Sequence, residues 1–127
     1  MLFEEALRAE LSALDGLNNK VFPLNATEGT APPFVVYVSN NGVQDKTLSG
    51  YLSTREVECE INIIHGTYSS MKALSQQVLE KILSFQGRII GGQNGILIRN
   101  VTYHSPVELY ESEILCYRSV LEVKFRF

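Results

Sequence analysis

The chain has 127 residues, 45% of them apolar and 20% charged, with a formal net charge of −3, which is the profile of one soluble globular domain. The eleven Lys and Arg are scattered, so the basic patch that a nucleic-acid surface needs is missing; the most basic segment, 118–126, is interrupted by Glu122. No run approaches eighteen apolar residues, which excludes a membrane-spanning helix. The first residues, MLFEEALRAEL, are acidic and amphipathic, unlike a signal peptide.

Residues 2–14 read as a helix. Phe3, Leu7, Leu11 and Leu14 form one apolar stripe. Glu4 and Glu5 sit in the first turn, where the helix dipole favours negative charge. Asp15-Gly16 ends the helix, with Gly16 suited to a left-handed cap. A short extended piece at 20–24 is broken by Pro23, and 25–33 (NATEGTAPP) is a loop. Residues 34–39 (FVVYVS) are β-rich and apolar on both faces, which places them inside a sheet. Asn40-Asn41-Gly42 offers turn chemistry. Residues 43–50 continue either as a hairpin arm or as a flexible loop, and both readings stay open.

The longest regular pattern follows. Residues 54–65 (TREVECEINIIH) alternate without a slip, with Val57, Cys59, Ile61 and Ile63 on one face and Glu56, Glu58, Glu60 and Asn62 on the other. Ser69 or Ser70 then caps a helix whose apolar stripe is Met71, Leu74, Val78, Ile82 and Phe85. Gly87 stops it. Residues 91–95 (GGQNG) lie between a helix and a strand, the reverse of the strand-to-helix order of a phosphate loop, so they read as a turn. Residues 96–103 form a strand that Ser105-Pro106 breaks, and 107–112 form an acidic connection. Residues 114–127 are a second long alternating strand, with Leu115, Tyr117, Leu121, Val123, Phe125 and Phe127 in one register and Cys116, Arg118, Glu122, Lys124 and Arg126 in the other. Its basic register falls within reach of the Glu56/Glu58/Glu60 row, inside one chain or between subunits. The reading is a single α+β domain over 1–127, a mostly antiparallel sheet of about four or five strands with two helices packed on one face.

The chemistry-bearing residues form no catalytic constellation. Cys59 and Cys116 fall on opposite faces, which disulfide geometry cannot bridge, so both read as free thiols and Cys59 as a small core residue. His65 ends a strand and His104 precedes a Ser-Pro loop, and neither sits in a triad context. No CxxC or HxxxH spacing exists, and the glutamate row has the period of a solvated strand. No metal, cofactor or enzymatic role is expected. The six tyrosines suit either the core or subunit contacts.

The layout of an N-terminal amphipathic helix, Lys20-Val21-Phe22-Pro23, the strand Pro32-Pro33-Phe34-Val35-Val36-Tyr37, the long alternating strand and the second helix resembles the tail-completion proteins of long-tailed bacteriophages and prophages, also described as tail-terminator or tail-to-head-joining proteins. The resemblance is clearest over residues 2–85. It implies a small structural subunit, without catalytic residues, that closes a ring, typically a hexamer, on the finished tail tube. Such a ring stops tube polymerisation and meets the head connector, so the implied partners are further copies, the tail-tube protein and a head-completion protein. The implied location is the head–tail interface of a virion assembled in a host cytoplasm. A ring needs two different patches of one subunit to meet on neighbours. The expected subunit interface is Glu56, Glu58 and Glu60 with Arg118, Lys124 and Arg126. The expected docking segment, ordered only on binding, is 40–53, with Asn41, Val43, Gln44, Asp45, Lys46, Leu48 and Tyr51. The alternative is a small bacterial α+β ligand-binding or regulatory module, which would need convergent polar groups around a pocket; the sequence gathers none.

Overall fold

Alternation along the long strand sets the architecture, because one row must be covered. In the computed structural model, which describes residues 2–40 and 42–127, the elements run α1 (Phe3–Ser12), β1 (Val21–Pro23), β2 (Phe34–Ser39), β3 (Val43–Thr47), β4 (Gly50–His65), α2 (Tyr68–Leu83), β5 (Arg88–Ile90), β6 (Ile96–Ile98), β7 (Asn100–Glu111) and β8 (Cys116–Arg126). The main sheet has six strands in the order β1-β2-β4-β8-β7, with β3 also paired to β4; β5 and β6 form a separate hairpin. β1 and β2 pair in parallel, and the remaining neighbours are antiparallel. The fold is α+β with a mostly antiparallel sheet, one strand larger than the upper expectation.

Both helices cover the same face. Val57, Cys59, Ile61 and Ile63 are buried there against Leu121, Val123 and Phe125 of β8 and the stripes of the helices. Met71, Leu74, Val78 and Ile82 of α2 are buried as their spacing requires, as are Phe3, Leu7 and Leu11 of α1. Phe85, just past α2, is fully buried. Burying each large apolar side chain contributes about 1.5–3 kcal/mol. The rings of Phe3 and Phe125 approach to 4.9 Å, so α1 is held directly on β8. One polar contact lies in this layer: the Ser75 and Ser119 hydroxyls, from α2 and β8, hydrogen-bond at 2.9 Å.

Several local expectations change. The cap of α2 is Thr67, not Ser69 or Ser70: its backbone is extended and its hydroxyl accepts the Ser70 N–H at 3.3 Å. Gly16 adopts φ +84°, but in the turn beyond the end of α1 rather than directly at its cap. Residues 43–50 are a hairpin arm: β2 and β3 pair successively along one side of β4, which begins at Gly50 rather than at Thr54. Residues 43–47 pair with the start of β4 as its hairpin partner; Asn41 lies outside the described residues. The bend at Gly42 is tight, since a Cβ there would stand 2.7 Å from the Glu56 carbonyl.

The glycine-rich turn joins β5 to β6, so a three-residue strand separates it from the helix. Ser105-Pro106 does not end its strand. β7 continues to Glu111, and the break is absorbed by a register shift between His104 and Val107, the bulge that a proline in a sheet demands. Ile114 and Leu115 belong to the β7–β8 turn, where Leu115 has φ +53°.

Candidate assembly surfaces

The face of the sheet that carries no helix presents the charged rows. Register sets Glu56 opposite Arg126 and Glu58 opposite Lys124, and both matches become ion pairs inside the chain. Lys124 Nζ lies 3.2 Å from Glu56 and 3.6 Å from Glu58; Arg126 lies 3.5 Å from Glu56. The hydrogen bond with Glu56, reinforced by the charges of Glu56 and Glu58, holds the Lys124 ammonium above its usual pKa. Arg118 turns instead to Glu111 at 3.1 Å and donates to the Asn62 side-chain oxygen at 3.3 Å. Asn62, expected on the polar face, is on it but buried, with its amide also donating to Val36 O and Glu60. The predicted interface residues thus share one face, and their charges are mostly matched by neighbours in the same chain.

Glu60 is the exception. It stands opposite Glu122, which on its other side stands opposite His104 of β7. Like charges directly opposed across strands are unfavourable, yet these sit on an exposed face. With Glu58, Lys124 and Thr102 they border a hollow of about 600 Å³. Strand order created this gathering of polar groups, which no local spacing announces. His65, the other histidine, accepts the Gly66 N–H at 2.8 Å at the far end of β4.

The hairpin arm is the second surface. The C-terminal strand pairs with β4 only from Arg55 onward, where Arg55 and Phe127 exchange backbone hydrogen bonds, so the arm formed by 43–54 projects past the body of the sheet. Val43, Leu48, Tyr51 and Leu52 are exposed on it, and Leu48 at the tip has 110% relative exposure. Lys46 Nζ lies 5.1 Å from the centre of the Tyr51 ring. Gln44 donates across the arm to Leu52 O at 2.6 Å. Asp45 points inward: it accepts from the Thr54 hydroxyl and pairs with Arg126. A residue of each predicted set therefore meets the other.

A third feature lies at the opposite end of the same face. Phe34, Ile64 and Cys116 are buried in a small cluster, with Phe22, Ala26 and Val36 packed on it. Phe34, Ala26 and Val36 of this cluster line a groove of about 670 Å³ between the 24–30 loop and the β7–β8 turn. Both cysteines are free thiols and Cys59 is buried, as expected; Cys116, expected on the polar register, is buried as well. Burial, with the nearby charges of Glu4 and Glu60, pushes the Cys59 thiol up to about 12, which leaves it unreactive at neutral pH. The tyrosines divide: Tyr37 is buried, while Tyr117 meets Tyr68 edge-to-face and Tyr110 at a tilt. Among the described residues, no group of three or more His, Cys, Asp or Glu is placed to hold a metal ion, and no helix is long and apolar enough to cross a membrane.

No protein-family model matches the chain, and no curated protein resembles it closely enough to match. Among solved structures, it is similar to a chain from the "Virion of native gene transfer agent (GTA) particle". The two superpose with a TM-score of 0.69 over 94% of this chain and 90% of that one, at 13% identity. The likeness is one of fold, over nearly the whole chain.

Proposed function

We propose that this chain is a structural virion protein, and specifically the subunit of a ring that caps a completed phage tail tube, ends its growth and joins it to the head connector. The observation that carries the reading is the nearly full-length fold likeness to a virion chain. It is supported by the sequence resemblance to tail-completion proteins. The surfaces suit such a role. The charged face with Glu56, Glu58, Glu60, Arg118, Lys124 and Arg126 and the arm with Lys46, Leu48 and Tyr51 are the proposed contacts with neighbouring copies, tube and connector. No catalytic residue is needed, since positioning and adhesion are the whole task.

A ligand-binding module is the second reading, favoured by the hollow bordered by Glu60, His104 and Glu122. Its acidic lining would take a small cationic ligand. Electron microscopy of tail tubes polymerised with and without the protein separates the two readings. Caps at one tube end and a halt to growth support the ring; tubes that grow unaltered in its presence refute it.

A further inference from the structure

The arm and the groove lie at opposite ends of the sheet and have complementary chemistry. The groove has an apolar lining in Phe34 and Val36 of β2 and Ile114 of the β7–β8 turn, and it also carries Glu28, Glu111 and Glu113. Glu111 is paired with Arg118; among the described residues Glu28 and Glu113 have no ion pair. Leu24, at one edge of the groove, and Leu115, next in the chain to the groove residue Ile114, hold φ of +66° and +53°. Bulky residues seldom adopt that conformation except where the surroundings fix it, commonly at binding surfaces. The arm tip is the inverse: an apolar knob, Leu48, beside a cation, Lys46, that has no ion pair among the described residues.

The arm cannot fill its own groove. Gly50 begins β4 and Asn62 lines the groove, so about twelve strand residues, roughly 40 Å, separate them. We propose that the arm tip of one copy seats in the groove of the next, with Leu48 on the apolar lining and Lys46 against Glu28 and Glu113. The occupant is a second copy because the charges match: a cationic, leucine-tipped arm meets a groove with apolar and acidic lining on the same chain. Two different patches then meet in a heterologous contact, which closes into a ring or runs on as a filament. This deepens the ring reading and rests on it, while naming the residues through which the ring closes.

The contact predicts an outcome that a symmetric one would not give. Leu48→Asp spoils the arm and leaves the groove; Ile114→Asp spoils the groove and leaves the arm. Both positions are exposed, and circular dichroism checks that each variant is folded. Sedimentation velocity should show wild type associating, each variant alone as monomer with affinity lowered about 30-fold or more, and their mixture as a dimer that grows no further. Lys46→Glu should weaken association, and Glu113→Lys in the partner should restore it, both effects fading with salt. A mixture that stays monomeric where wild type associates overturns the contact, as does wild type that is monomeric up to about 1 mM. Single variants that assemble like wild type also overturn it, but leave the ring reading standing. If Leu48→Asp then fails only to cap tubes, the arm's partner is the tube.

Discussion

Asp45 and Arg126 join the hairpin arm to the body of the sheet: the Asp45 carboxylate, on β3, pairs with the guanidinium at the end of β8. Arg126 also reaches Glu56, so one cation ties the arm and the central strand together. The pair is partly exposed, and such pairs contribute about 0–1 kcal/mol. Its removal should loosen the arm more than it lowers global stability. In Arg126→Ala, amide exchange should speed up at 43–54 while Tm changes little. Unchanged exchange there would mean the backbone pairing of β3 and β4 alone fixes the arm.

Glu60 and Glu122 oppose each other with no cation set between them by the register. Glu122→Gln should therefore stabilise the isolated chain by about 0.2–1 kcal/mol, seen as a raised denaturant midpoint at unchanged slope. A stability loss would show that Glu122 makes a favourable contact with His104, its other neighbour.

Glu10 gives the fold an acid-sensitive clasp. Burial raises its pKa, but the Arg88 hydrogen bond, the Gly91 N–H and the charges of Arg88 and Lys81 outweigh this and hold it below its usual value. Arg88 donates at 2.9 Å and the Gly91 amide at 3.3 Å, tying α1 to the β5–β6 hairpin. A depressed carboxylate pKa contributes stability that is present above the unfolded-state value and lost as pH falls through the folded one. Glu10→Gln should cost about 1 kcal/mol at pH 7, discounted for the exposure of Arg88. Thermal melts from neutral to strongly acidic pH should show the gap between variant and wild type closing below the ordinary carboxylate range. A gap independent of pH would contradict this.

Ser75 and Ser119 form a buried pair in an otherwise apolar layer. Either serine changed alone to Ala leaves the other hydroxyl unsatisfied, at about 1–3 kcal/mol. The double variant should cost clearly less than the sum, which a denaturant double-mutant cycle measures. Strict additivity would show that the hydrogen bond carries no coupling.

The helices and the covered strand face were legible because their signals are local. The stripe from Met71 to Phe85 and the alternation from Val57 to Ile63 each specify one buried side. What sequence could not supply was strand order. Ile64, Phe34 and Cys116 lie far apart in the chain and look unremarkable singly; pairing of β2 with β4 and of β4 with β8 makes them one buried cluster beneath a groove. The same applies to Glu60, Glu122 and His104. Pro106 misled for a different reason: on the edge strand β7 a bulge accommodates it, so the strand survives what would end a central one. Thr67, rather than Ser69 or Ser70, caps α2 because all three hydroxyls can cap and only backbone geometry decides among them.

The most direct test of the central claim is solution mass by multi-angle light scattering, alone and with tail tubes. The ring reading predicts a species of about six copies, or a monomer recruited as a ring to tube ends. A monomer or dimer that leaves tubes unbound would contradict it.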